Sequence, residues 1–279
     1  MNKFKGATYV ITGAGSGIGR ELAIELAHLG ADLAISDLNG DTLQETTELV
    51  SREGINVHSH QLDVSDKESV FAYADLVQEH FDQINVIINN AGVALSTGTF
   101  ENTTLEEFEW LMSINFSGVL YGTKAFLPHL QRAQWGHIVN VSSLFGLIGV
   151  PGQAAYNASK FAVRGLTEAL RQELNATGSK VSCTSVHPGG IKTNIALNSR
   201  EGSTPPTDLD QMFLADAEEF EKLARTTAQS AATQIINAVK RNKRRLVIGG
   251  DAKTMDWIQR HFPNHYHQAL ELIMKVARR

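Results

Sequence analysis

The sequence predicts an α/β fold built on a mostly parallel seven-stranded sheet with helices on both faces. Three observations predict it. Strand candidates at 7–12, 31–37, 55–62, 85–89, 136–142, 180–187 and 245–249 alternate with segments of helical period, and such alternation favours parallel strands joined by right-handed crossovers. A glycine-rich turn separates the first run from the first helix, and an acidic residue closes the second run.

The first run, Ala7-Thr-Tyr-Val-Ile11, leads into Thr12-Gly-Ala-Gly-Ser-Gly-Ile-Gly19 and then into Arg20 to Leu29, whose apolar residues recur at helical spacing. Strand, glycine turn and helix N-terminus in that order suit a pyrophosphate, because the turn is tight, the backbone can approach closely and free amides point at the anion. Gly13, Gly17 and Gly19 give G-x-x-x-G-x-G rather than the commoner G-x-G-x-x-G, with Ser16 and Ile18 as further contacts. The second run, Ala31 to Asp37, ends on a carboxylate about 20 residues beyond the glycines, where it accepts hydrogen bonds from ribose hydroxyls and repels a 2′-phosphate. Leu38 follows it and Ser16 stands between Gly15 and Gly17, so neither place offers that phosphate a cation. NAD is therefore expected over NADP. The plainer role for Asp37, a helix N-cap, could be filled equally by Asn39 or Asp41.

The next three runs end beside polar groups: Asp63-Val64, Asn89-Asn-Ala-Gly92, and Ser142-Ser143. Long helices are expected at about 104–131 and 155–176. On the second of these, Tyr156 and Lys160 are four residues apart, which sets a phenol and an ammonium side by side. A free tyrosine titrates near roughly 10, so poising it near neutrality requires about 3 units, or about 4 kcal/mol, in favour of the phenolate. A fixed cation supplies part of that.

With these motifs in chain order, the sequence resembles the short-chain dehydrogenase/reductase family from about Lys5 to about Gly250. The resemblance rests on Thr12 to Gly19, Asp63-Val64, Asn89 to Gly92, Asn115, Ser143 thirteen residues before Tyr156, Lys160, and Pro188-Gly189 with Thr193. It implies a doubly wound Rossmann fold and hydride transfer between nicotinamide and an alcohol or carbonyl. It implies catalytic roles for Asn115, Ser143, Tyr156 and Lys160, with Tyr156 as base in oxidation and acid in reduction. Ser143 would meet the developing oxyanion, Lys160 would tune Tyr156 and hold the ribose, and Asn115 would organise water linked to Lys160. By the same resemblance Asp63 and Val64 contact the adenine, and Asn90, Ala91 and Gly92 lie along the cofactor. Pro188 and Gly189 border it, and Ile191 and Thr193 hold its carboxamide end. Spacing selects Ser143 over its neighbour Ser142 only through this resemblance, and Asn115 can equally be read as a buried polar residue that bends its helix.

The 279 residues fit one domain with a substrate lid at about 189–226 and a helical extension at about 252–279. A net charge of −5 argues against a dedicated nucleic-acid binder. The lone Cys183 excludes an intrachain disulfide and reads as strand packing. Met1 to Gly6 runs straight into the first strand without room for a signal peptide, and no apolar run reaches membrane-spanning length, so a cytoplasmic protein is expected. His261, His265 and His267 do not suggest a formed metal site. Family resemblance implies a homodimer or homotetramer through the two long helices.

The lid carries Ile195, Leu197, Met212, Phe213, Leu214, Phe220 and Leu223, while Val93, Leu95, Leu144, Phe145 and Val150 follow strands that border the site. An apolar secondary alcohol or its ketone is the expected substrate, the alternative being that these residues pack lid onto body. The basic run Lys240 to Arg245 and the apolar, arginine-ended stretch from Ala269 to Arg279 allow peripheral contact with a membrane surface. The competing reading is cations at a helix C-terminus and a helix covering the sheet edge. Two further function classes stay open: a reductase of acyl thioesters, which Asp37 opposes because NADP is its more usual partner, and a non-catalytic NAD sensor, which would have no need of a tuned phenol.

Overall fold

A computed structural model describes residues 3–207 and 224–277, with side chains to 271. Seven strands form the main sheet: β1 (Thr8–Thr12), β2 (Asp32–Asp37), β3 (Val57–Gln61), β4 (Val86–Asn89), β5 (Gly136–Val141), β6 (Val181–Pro188) and β7 (Arg245–Ile248). They lie in the order β7-β6-β5-β4-β1-β2-β3, and every pairing is parallel. All seven expected strands are present. The chain reverses direction across the sheet between β1 and β4, and ligands of such sheets sit outside the carboxyl ends of the strands at that switch point.

Strand alternation builds the two faces. Tyr9 and Ile11 of β1 point to one side with Leu33, Ile35, Val86 and Ile88, and there they meet α1 (Gly17–His28), α2 (Gly40–Ser51) and α7 (Ala228–Lys240). Val10 points to the other side with Ala34, Ile87, Ile138 and Cys183, against α3 (Lys67–His80), α5 (Gly118–Arg132) and α6 (Ala154–Ala176). Cys183 is buried and its thiol donates to Thr167 O at 3.3 Å, so burial pushes it up to about 12 and leaves it inert.

The helix expected at 104–131 has an internal irregularity. It begins with α4 (Leu105–Met112), started by a capping box in which Thr104 and Glu107 each take the other's backbone N–H. It passes through a π-helical turn, Ser113–Ser117, before α5. Such single turns recur at functional sites, and Asn115 lies in the middle of this one. Beyond β7 the extension forms α8 (Gly250–His261) and α9 (Tyr266–Ala277). Leu144 and Ile148, beyond β5, pack with Ala252 and Met255 of α8, joined by Phe145, Val150, Tyr266 and Leu270. Tyr266 Oη also accepts from Gly149 N at 3.1 Å. The extension therefore folds onto its own core. Its root is fixed by Arg245, whose two guanidinium nitrogens reach Asp256 at 2.6 and 3.0 Å. This takes Arg245 out of the solvated basic run. Among the described residues, no helix is long and apolar enough to cross a membrane.

Candidate active site

The glycine turn after β1 is bent as its composition requires. Gly13 and Gly17 have φ of +66° and +53°, where side-chain-bearing residues are strained. A Cβ on Gly13 would lie 2.8 Å from Ala91 Cα, and one on Gly17 would lie 3.1 Å from Thr193 Cγ2, which brings Thr193 against the turn. Ser16 makes no side-chain cap to α1 and no acidic residue occupies the first turn, so the amides of Gly17, Ile18 and Gly19 face an open end. That end favours an anion.

Asp37, at the carboxyl end of β2, does more than the sequence suggests. Its Oδ2 accepts from Gly15 N at 2.8 Å and its Oδ1 from Asn39 N at 2.9 Å, tying the glycine turn to the second strand. The N-cap role falls to Asn39, which accepts from Asp41 N and Thr42 N. Leu38 is 63% exposed, open to a ligand lying along this edge. Asn90 and Ala91 brace the turn from β4: their amides donate to Thr12 Oγ1, and Asn90 Nδ2 donates to Thr12 O and Gly13 O at 3.0 and 3.1 Å. Their hydrogen bonds thus shape the cradle. Asp63 turns its carboxylate onto Ser65, and Val64 is buried against Gly118.

The four expected catalytic residues come together beyond β4 and β5. Asn115 is fully buried. Its Oδ1 accepts from Val93 N at 2.8 Å and its Nδ2 donates to Val93 O at 2.9 Å, so these bonds fix the backbone beyond Gly92. A Cβ on Gly92 would come within 3.1 Å of Asn115 Oδ1 and 3.3 Å of Lys160 Nζ. Glycine leaves room where the two side chains converge on it. Lys160 is 3% exposed, and among the described residues its ammonium has one hydrogen bond, to Val141 O at 3.3 Å, and no carboxylate partner. Burial lowers it to about 8. A buried cation with spare donors is a signature of a functional site.

Tyr156 lies one helical turn away, with Lys160 Nζ 5.5 Å from its ring centroid. Burial raises the phenol to about 12, and a hydrogen bond with Ser143 pulls the other way. In the protein alone the phenol is thus not poised near neutrality. Phe145 meets the Tyr156 ring edge-on at 5.8 Å, and Leu95 packs with Leu111, Ala155 and Tyr156. The neighbouring serines divide cleanly: Ser142 Oγ donates to Lys160 O at 2.8 Å, while Ser143 is the partner of Tyr156 and also accepts from Phe145 N.

Several supporting residues went unread in the sequence. Asn157 clamps the loop beyond Ser143, accepting from Val150 N and donating to Phe145 O and Ile148 O. Asp251 accepts from Gly190 N at 2.7 Å, and Gly189 N donates to Ile248 O at 2.9 Å, which together fix the turn between Pro188 and the buried Ile191. Neither partner is close in sequence, so no local pattern marks them.

The expected apolar pocket is redistributed. Leu144 and Val150 serve as the seat of α8 and α9, leaving Leu95 and Phe145 beside Tyr156. Beyond Ile191, Arg200–Glu201 pairs with Leu95–Ser96 and Ser203 donates to Glu107 Oε1. Ile195 is half-buried and Leu197 exposed; Met212, Phe213, Leu214, Phe220 and Leu223 lie outside the described residues.

Known proteins share this fold. Residues 7–204 match the short chain dehydrogenase family. The chain is 46% identical over 268 residues to SadH of Mycobacterium tuberculosis, covering 96% of this chain and 95% of that one. It superposes on the crystal structure of a short-chain dehydrogenase/reductase from Burkholderia phymatum in complex with NAD (TM-score 0.85, 29% identity, 98% and 96% of the two chains). It also resembles an alcohol dehydrogenase from the archaeon Thermococcus sibiricus complexed with 5-hydroxy-NADP (TM-score 0.72, 27% identity, 87% and 94%). The glycine cradle, the open helix end and the buried Lys160 ammonium fit a nicotinamide dinucleotide. The chain belongs to the short-chain dehydrogenase/reductase family and is an oxidoreductase of that family.

Proposed function

We propose that the protein interconverts an apolar secondary alcohol and its ketone with NAD, using Tyr156, Ser143, Lys160 and Asn115. The observation that carries this reading is the contact of Tyr156 with Ser143 beside a buried Lys160 that has no carboxylate partner among the described residues. Tyr156 takes the hydroxyl proton in oxidation and returns it in reduction, and the Ser143 hydroxyl donates to the substrate oxygen. The Lys160 ammonium, 5.5 Å from the Tyr156 ring centroid, favours the phenolate, while burial holds the phenol up at about 12. When bound, oxidised nicotinamide supplies the hydride acceptor and a second positive charge.

The amides of Gly17 to Gly19 would hold the pyrophosphate and Asp37 the adenosine ribose, with Asp63 and Val64 beside the adenine. Gly92, Pro188, Gly189, Ile191 and Thr193 would line the nicotinamide half. Preference for NAD is supported by Asp37 and by the exposed, uncharged Leu38. Leu95 and Phe145 against Tyr156 support an apolar substrate. Assembly as a homodimer or homotetramer is supported by Leu105 on α4 and Phe161 on α6, both exposed in the single chain. Tyr156→Phe removes the exchangeable proton and keeps most of the packing. It should abolish turnover while NAD affinity stays near wild type, and retained turnover would remove Tyr156 as the base.

A further inference from the structure

Ser143 is the first residue beyond the β5–β6 ladder, which ends where Ser142 N donates to Val186 O at 2.8 Å. Its hydroxyl must point at Tyr156, so something has to fix its backbone. The group that does so is on the neighbouring strand. His187, in β6, is fully buried, and its Nδ1 lies 3.1 Å from Ser143 O. Its Nε2 lies 2.9 Å from Ser185 Oγ, a hydroxyl also buried in β6.

These contacts fix one tautomer. A carbonyl oxygen can only accept, so Nδ1 carries the hydrogen, and Nε2 is then the acceptor for the Ser185 hydroxyl. Gly146 N also donates to Ser143 O at 3.0 Å, so the carbonyl has both lone pairs satisfied. Resting on the function proposed above, we propose that His187 is a positioning residue which, by holding the Ser143 carbonyl, aims the Ser143 hydroxyl at Tyr156 and the substrate oxygen.

The arrangement persists across the neutral range. Burial first, then the charges of Arg245 on β7 and Arg164 on α6, hold the imidazole down at about 3, with the Ser143 carbonyl and Asp256 on α8 acting the other way. The imidazole is neutral wherever the enzyme is folded at ordinary pH. It does not act as a proton shuttle, and both its nitrogens are used within the protein.

Three substitutions separate positioning from packing. His187→Asn keeps a donor near the Nδ1 position, His187→Gln moves the amide out to the Nε2 position, and His187→Leu removes both polar atoms. Each would be compared with wild type for amide hydrogen exchange over 143–150, for NAD affinity, for thermal midpoint and for kcat and KM with a secondary alcohol. In the Leu and Gln variants, exchange over 143–150 should accelerate and kcat fall at least about tenfold, as expected for a misplaced catalytic group. NAD affinity should stay within about twofold, and Asn should restore both exchange and kcat towards wild type. Should Leu fail to fold, the contrast between Gln and Asn decides alone. Unchanged exchange in Gln or Leu overturns the proposal. So does faster exchange with wild-type kcat, or equal damage in Asn, Gln and Leu accompanied by lost NAD binding. A wild-type enzyme silent with alcohols would defeat the proposed function, while the exchange comparison would still decide whether His187 holds Ser143.

Discussion

Acidification between pH 7 and pH 5 should destabilise this protein sharply, because two histidines are buried where only the neutral form is satisfied. His137 is 1% exposed and His187 fully buried. His137 Nε2 donates to Thr184 Oγ1, which itself donates to Lys243 O, so this tautomer is also fixed. Burial, helped by the charges of Lys3 and Arg171, lowers His137 to about 3, the same value as His187. Both begin from about 6.5 in the unfolded chain. The native state therefore binds fewer protons, and the stability each histidine contributes is fully present above about pH 6.5 and is lost as pH falls towards about 3. The slope is about 1.4 kcal/mol per pH unit for each group, so by pH 5 each costs about 2 kcal/mol and the pair about 4 kcal/mol. His58 and His129 are also lowered, principally by burial, and add in the same direction. Urea unfolding at pH 7, 6 and 5 measures this loss. His137→Gln, which keeps a donor near the Nε2 position, should reduce it by about 2 kcal/mol. A fall below about 1 kcal/mol over that range would show that these imidazoles protonate in the native state, against the geometry described.

Other predictions follow from the cofactor cradle. Gly13→Ala places a side chain at φ +66°, costing about 1–2 kcal/mol, and sets its Cβ 2.8 Å from the Ala91 backbone, adding about 1–3 kcal/mol. A lower denaturant midpoint together with weaker NAD binding is expected, and wild-type behaviour in both would mean that the turn adopts another shape. Because Asp37 also holds Gly15 N and Asn39 N, its removal by alanine would loosen the turn, so cofactor choice is better tested by Asp37→Asn with Leu38→Arg. The ratio of kcat/KM for NADP over NAD should rise at least about tenfold, about 1.4 kcal/mol, and no movement would place the ribose contact elsewhere.

Most of the sheet was legible because most of its strands are short, largely apolar segments bounded by glycine or polar residues, and Tyr156 and Lys160 were legible because a helix converts four residues of spacing into adjacency. What the sequence hid depends on long-range partners. Leu144 and Val150 read as pocket lining, yet a helix pair more than a hundred residues later uses them as its seat. The division of labour between Ser142 and Ser143 required knowing which hydroxyl faces the Lys160 carbonyl. No local pattern announces the π turn that carries Asn115 or the hydrogen bonds its side chain makes to the Val93 backbone. Asp251 and His187 act on backbone atoms of other loops and have no motif of their own.

The central claim is that Tyr156, Ser143 and Lys160 drive NAD-dependent oxidation of an apolar secondary alcohol. The most direct measurement follows near-ultraviolet absorbance of reduced nicotinamide as the purified protein meets NAD or NADP and secondary alcohols graded from short polyols to long-chain and steroid substrates. The account predicts turnover with NAD that rises with substrate hydrophobicity and disappears in Tyr156→Phe. Silence across the panel despite tight NAD binding, or turnover that survives in Tyr156→Phe, would contradict it.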